Sequence, residues 1–252
     1  MALSRDARAP RTLAPTDLDE LWRFFEGFVR RDRAAFEEKL RSQQSLVRYR
    51  DADGVLRGFV VVDTAVVSHG GRRFGIIGTP YCAFDPGIRG SNLCQREGLL
   101  RWAAEKVRHP LRPYYWVFTA STYKSYLLLP RNLREYWPRP GVAWPAREAA
   151  IVAAVMSDDP DWDATAHVVR RGGRSCYREG VCALDPAALA DPDVRFYAAL
   201  NPGQLEGDTV PCLVPLTVDN MAWVVGHMAR RVARRGRALG AADRAGLTPP
   251  VV

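Results

Sequence analysis

The stretch Gly75-Ile-Ile-Gly-Thr-Pro-Tyr-Cys-Ala-Phe-Asp-Pro-Gly-Ile-Arg-Gly-Ser-Asn-Leu-Cys94 is where residue type and spacing carry chemistry. An aliphatic run delivers the chain to the turn residues Asp85-Pro86-Gly87, and Arg89-Gly90 then opens a helix. The first N–H groups of a helix have no partner within it and carry partial positive charge, so together they hold an anion. Gly90 lets the backbone come close to that anion, and Arg89 adds a charged fork beside it. Ser91 and Asn92 complete the loop. A pyrophosphate suits such a cradle. The end of the preceding strand, Ala83 and Phe84, offers backbone groups to an extended, amide-containing arm such as pantetheine, as in strand addition.

The elements around this segment predict an α/β chain. Leu18, Leu21, Trp22, Phe25 and Phe28 recur at helical spacing over residues 16–31, and Asp32 caps a second helix to about Arg41. The period then changes. Residues 45–50, 56–67 and 73–84 are rich in Val, Ile, Phe and Tyr, with Asp53-Gly54 and Gly70-Gly71 at the hairpin positions of a three-strand meander. A helix over 91–107 is expected to bury Leu93, Leu99, Leu100, Trp102 and Ala103. A strand over 114–120 and a short helix over 122–129 follow, the latter stopped by Pro130. After the Pro138–Pro145 passage come helices at 146–156 and 192–200, a strand at 209–214 and a terminal helix from 218 to 239. The expected organisation is a flexible N-terminus (1–15), a domain over 16–140, and a C-terminal extension over 141–252. That extension is either a second subdomain or a completion of the first one's sheet.

Composition narrows the function classes. With 47% hydrophobic and 25% charged residues in 252, the chain is ordinary globular protein rather than disordered. Its apolar runs are strand-sized and no signal-peptide core follows the N-terminus, so a cytoplasmic location is the expectation. Five cysteines and four histidines are dispersed without zinc spacing, and no metal is expected. The net charge of +8 rests almost wholly on arginine, and Arg230, Arg231, Arg234, Arg235 and Arg237 share the last helix. That bias has a bland source in codon usage and a functional one in an acidic partner.

The Gly75–Cys94 segment resembles the acyl-CoA-binding strand, turn and helix of the GNAT (GCN5-related N-acetyltransferase) superfamily. There an aliphatic strand ends before an R-G-x-G-x-G/A loop and a helix, and Arg89-Gly90 match the start of that loop. The later glycines of the loop are replaced by Asn92 and Cys94, a departure that suits a divergent branch resembling N-acyl amino acid synthases. The resemblance implies a mixed, mostly antiparallel central sheet flanked by helices, with a C-terminal α+β elaboration. It also implies that residues 73–84 and 114–120 splay apart, so that thioester and amine meet in the gap.

The same resemblance implies an N-acyltransferase. The acyl group comes from acyl-CoA or an acyl-carrier protein, with a long-chain or other non-acetyl donor favoured, and the acceptor is a small-molecule or peptide amine. An acidic carrier protein would match the arginine excess. Tyr123 and Tyr126 stand where the family places its acid for the leaving thiolate. Thr79 and Ser121, with Tyr81 and Thr119, flank the gap and are suited to order a proton-relaying water. Asp85 reads as a turn residue, and Glu97 as a solvated helix position. Two other readings compete: a catalytically idle domain of the same fold, and a nucleic-acid-binding protein built on the basic last helix. The second lacks any recognisable reading motif.

Overall fold

The computed structural model describes residues 2–88, 91–178, 183–224 and 226. In chain order its elements are β1 (Ser4–Arg8), α1 (Pro15–Glu26), β2 (Val29–Arg31), α2 (Arg33–Arg41), β3 (Ser45–Arg50), β4 (Leu56–His69), β5 (Arg72–Gly78), β6 (Cys82–Phe84) and α3 (Leu93–Arg108). Then come β7 (Tyr114–Ala120), α4 (Tyr123–Tyr126), α5 (Leu128–Asn132), α6 (Ala146–Met156), β8 (Trp162–Asp163), β9 (Val168–Val169), β10 (Ser175–Tyr177), α7 (Pro192–Leu200) and β11 (Val210–Pro215). Residues 218–224 are helical again.

The central sheet runs β1-β3-β4-β5-β7-β11, with β6 also paired to β4. Every neighbouring pair is antiparallel except β5 and β7, which run parallel through the α3 crossover. The expected mixed, mostly antiparallel sheet flanked by helices is therefore present. Alternation along the strands sorts side chains to two faces. The front face gathers Val47, Tyr49, Val60, Val62, Ile77, Trp116 and Phe118 under α3, α4 and α7. The back face holds two separate clusters. Phe59 and Val61 pack with Leu21, Phe25 and Phe36 of α1 and α2, while Phe74, Ile76, Tyr115 and Val117 pack with Ile151 of α6.

Several expectations are corrected by packing. The N-terminal stretch, expected as a flexible tail, forms edge strand β1 on β3, with Ser4 opposite Arg50 and Arg8 opposite Leu46. Buried Arg48 of β3 anchors it by pairing with Asp6 at 2.6 Å and with Asp17 of α1 at 2.5 Å. The first helix stops at Glu26, because residues 29–31 pair as β2 with β10. The third meander strand is not continuous but breaks after Gly78 and resumes as β6. Pro130 does not stop a helix, since it lies within the first turn of α5, where its missing N–H costs little. Helix α3 buries Leu93 as expected, but Leu100 and Ala103 are exposed and Glu97 and Gly98 turn inward in their place.

Of the two arrangements expected for residues 141–252, the described part matches the one that completes the sheet. Strand β11 completes the main sheet on β7, and the Tyr197 hydroxyl of α7 donates to the Ala120 carbonyl at 3.1 Å. The basic stretch Arg230–Arg237, His227 and Cys182 lie outside the described residues.

Candidate active site in the strand splay

Strands β5 and β7 pair only from Gly75 opposite Tyr114 to Gly78 opposite Val117, and the Thr79 N–H closes the ladder on the Val117 carbonyl at 3.2 Å. Beyond that point the two strands part. The β4 register shows why. Asp63 faces Gly78 and Val60 faces Cys82, so two residues of β4 oppose the three residues Thr79, Pro80 and Tyr81. One extra residue is a β-bulge, which bends its strand and ends regular pairing. Strand β6 follows β4 while β7 follows β11, and a wedge opens between them.

The Val61 N–H bonds to the Tyr81 carbonyl and the Asp85 N–H to the Arg57 carbonyl, so Tyr81 and Asp85 turn their backbone toward β4. Alternation then puts the backbone groups of Cys82 on the wedge side. Of the strand end singled out as Ala83 and Phe84, Ala83 stands opposite Phe59 with its backbone turned to β4, and the backbone edges of Cys82 and Phe84 face the opening.

On the front of the wedge, the Trp116 indole Nε1 donates to Thr79 Oγ1 at 3.0 Å, inside the protein. Cys94, in the first turn of α3, lies against Cys82. The contact pulls the Cys82 pKa down and, together with burial, pushes that of Cys94 well up. Cys212, by contrast, is fully buried. Helix α3 begins at Asn92, whose φ of 55° is the left-handed conformation asparagine tolerates. Its side chain makes no cap bond to the backbone, and the Ser91 hydroxyl donates back to the Ile88 carbonyl at 2.7 Å. Arg89 and Gly90 lie outside the described residues. Behind Trp116, Gly98, Leu99, Leu128, Leu216 and Met221 line an apolar cavity of about 40 Å³.

The back of the wedge is a band of half-exposed residues in an otherwise buried sheet: Asp63, Gly78, Pro80 and Thr119. It lies between the two back-face clusters. Asp63 accepts the Gln44 N–H at 2.7 Å, and burial raises its pKa against that bond and the more distant charges of Lys39 and Arg101. Tyr81 forms one wall, its ring set edge-on against Phe25 and Phe36 and under the Arg31 guanidinium. Burial raises the Tyr81 pKa, while Arg31 and Arg171 hold it back. Arg171 is itself engaged by Asp159 at 2.7 Å and Asp161 at 2.9 Å.

The remaining expected residues fall unevenly. Thr79 sits at the apex, and Ser121 follows directly on β7, half-buried. Tyr123 is buried at the start of α4, whose N-cap Thr122 accepts the Ser125 N–H, and Lys124 lies over its ring. Tyr126 is fully buried, stacks on Tyr197, and gives its hydroxyl to the Pro138 carbonyl at 3.0 Å. Burial raises its pKa strongly. Asp85 makes the expected turn, accepting the Gly87 N–H at 2.8 Å.

Glu97 is a correction. It is 3% exposed and is held by Arg5 at 2.7 Å and by the Tyr49 hydroxyl at 2.5 Å. Sequence reasoning missed Asp63 altogether, since it lies in an apolar strand with no motif around it. The only signal was a carboxylate at a position where β4 should alternate inward.

No protein-family model and no curated protein matches the chain. Among solved structures it is similar to a ribosomal-protein-alanine N-acetyltransferase from Brucella melitensis biovar Abortus 2308, at 18% identity and a TM-score of 0.37. That alignment covers 57% of this chain and all of the other. It is also similar to the GNAT family N-acetyltransferase YhbS from Escherichia coli in complex with CoA, at 18% identity and a TM-score of 0.32, covering 56% of this chain and 78% of that one. A NatC complex bound to Gag peptide and CoA aligns at 11% identity and a TM-score of 0.35, over 86% of this chain and all of that one. Identities and TM-scores are low, so the fold assignment rests on the sheet itself: a mixed, mostly antiparallel sheet whose adjacent parallel strands part beside a helix N-terminus, the arrangement expected of a GNAT fold.

Proposed function

We propose that the protein is an N-acyltransferase that binds an acyl thioester of coenzyme A in the front of the wedge and transfers the acyl group to an amine. The observation that supports this best is the parting of β5 and β7 after Gly78 and Val117, beside the start of α3. Backbone groups on the Cys82 edge suit an amide-containing arm, and the loop of Arg89, Gly90, Ser91 and Asn92 suits its pyrophosphate. Thr79 and Ser121 flank the place where a tetrahedral intermediate would form, and Tyr123 is the remaining candidate to protonate the leaving thiolate.

A cavity of about 40 Å³ beside Trp116 holds only a few heavy atoms. It suits a short acyl group. Delivery by an acidic carrier protein remains a variant of the same reading, carried by the arginine excess. The second reading, a domain that binds a thioester without turning it over, is favoured by the engagement of the Tyr126 hydroxyl with Pro138.

Thermal shift with CoA, acetyl-CoA and a long-chain acyl-CoA, using Arg89→Ala as control, tests the proposal. Saturating ligand at about 100 times its Kd stabilises a protein by roughly 2.7 kcal/mol, which is readily seen. A shift that Arg89→Ala abolishes supports donor binding at the loop. Absence of a shift with all three donors overturns it.

A further inference from the structure

Asp63 stands on the back of β4 with no ion-pair partner among the described residues. The other buried carboxylates are committed: Glu97 to Arg5, Glu148 to Arg147 and Tyr115, Asp51 to Arg57, and Asp208 to Arg170. Asp63 has a single backbone hydrogen bond, from Gln44, and no cation within ion-pair distance among the described residues. A carboxylate kept half-buried without a counter-charge costs folding free energy, and groups retained at such cost cluster at functional sites.

Its position fits a task. Asp63 is the register partner of Gly78, the last residue of β5 before the wedge opens. A Cβ added at Gly78 would lie 3.8 Å from the Asp63 Cβ, so the glycine leaves the space beside the carboxylate open. Phe59 and Val61 precede Asp63 on the same face under α1 and α2, and Val67 follows it in the cluster under α6. Asp63 therefore lies in the cleft between two packed helical layers, on the face opposite Thr79, Cys94 and α3.

We propose that the acceptor amine enters through this back-face cleft and that the Asp63 carboxylate takes its proton. The inference rests on the acyl-transfer reading and adds to it the missing base and the side of approach. The amine nitrogen attacks the thioester carbonyl carbon, a C–N bond forms, and the C–S bond breaks with its electron pair leaving on sulfur. The proton shed by nitrogen passes to Asp63, and the departing thiolate takes one up in turn. The charged and titratable groups around Asp63 are Lys39 at the end of α2, Arg101 of α3, and Tyr81 on the bulge with Arg31 and Arg171 behind it. None of them is bonded to its carboxylate.

The test compares wild type with Asp63→Asn and Asp63→Glu in the full chain. CoA affinity is measured by calorimetry. Acyl transfer from acetyl-CoA to a panel of small amines (an amino acid, a polyamine and a dipeptide) is followed against pH. Thermal stability is followed over the same pH range. Asp63→Asn is expected to bind CoA as wild type does, to lose ~100-fold or more in kcat/KM, and to lose the acid limb of the profile. Asp63→Glu retains part of the rate.

A carboxyl whose folded pKa is raised stabilises the fold only below its ordinary value, 3.8 for Asp, and that contribution is lost as pH rises through the folded pKa. Asp63→Asn should therefore raise Tm at neutral pH, with the gain vanishing toward the acid end. This arm tests, without turnover, whether the site holds the carboxylate against its charge. A lower Tm for Asp63→Asn at neutral pH, or transfer within ~3-fold of wild type with the acid limb intact, overturns the inference. Failure of wild type to bind CoA defeats the acyl-transfer reading itself, whereas normal CoA binding with Asp63-independent transfer defeats this inference alone.

Discussion

Trp116 Nε1 donates to Thr79 Oγ1 at 3.0 Å, joining the two strands at the point where they begin to part. The bond has no water to replace it, because both residues are buried. Thr79→Val keeps the side-chain shape and leaves the indole N–H unpaired, which costs about 1–3 kcal/mol. Thr79→Ser keeps the acceptor and should cost clearly less. Urea unfolding of the two variants measures the difference, and equal losses would show that the bond contributes nothing.

Glu97 of α3, on the same face of the sheet, provides a pH signature. Burial pushes its pKa up, but the hydrogen bonds and charges of Arg5, Tyr49 and Arg96 outweigh burial and leave it below the ordinary glutamate value of 4.5. A depressed carboxyl stabilises the fold above its unfolded pKa and loses that contribution as pH falls through the folded one. Glu97→Gln should cost about 1–3 kcal/mol at neutral pH, and this difference should close on acidification below 4.5. Stability curves against pH that stay parallel for the two proteins would contradict the assignment.

Gly78 separates function from stability. Alanine there makes only ordinary contacts, with the nearest at 3.8 Å, and glycine gains nothing from its freedom inside a strand. Gly78→Ala should leave the fold unchanged or more stable by about 0.5–1 kcal/mol. Gly78→Val should raise the KM for the amine by about 10-fold or more while CoA affinity holds, because it fills the cleft beside Asp63. An unchanged amine KM in Gly78→Val would remove the back-face route.

The two tyrosines of α4 should behave oppositely. Tyr126→Phe loses the bond to the Pro138 carbonyl, at about 0.5–1.5 kcal/mol, and leaves the rate of transfer alone. Tyr123→Phe should leave stability within about 0.5 kcal/mol of wild type and lower kcat. Unfolding midpoints and single-turnover rates for the pair check both statements, and a rate loss confined to Tyr126→Phe would reverse their roles.

Local signals made most of the elements legible in the sequence. Asp32 does cap α2, Gly54, Gly70 and Gly71 do take positive φ at the hairpin turns, and Asn92 does adopt the left-handed conformation. What escaped depended on long-range pairing. The bulge at Thr79–Tyr81 exists only in the offset between Asp63–Gly78 and Val60–Cys82, a property of two strands and of neither sequence alone. The edge strand β1 is held by Arg48 and Glu97, partners more than forty residues away. Glu97 looked like a solvated helix position because its partners Arg5 and Tyr49 come from other elements. Asp63 was invisible for the same reason: its meaning lies in what faces it across the sheet.

The most direct test of the central claim, that a CoA thioester occupies the front of the wedge, is the indole ¹H–¹⁵N spectrum of the protein titrated with CoA. The chain has seven tryptophans, and Trp116→Phe assigns the resonance at the apex. CoA is expected to shift the Trp116 signal while that of Trp22, on α1 against Phe25 and Phe36, stays in place. A Trp116 signal unmoved at saturating CoA, or an unchanged spectrum throughout, would contradict it.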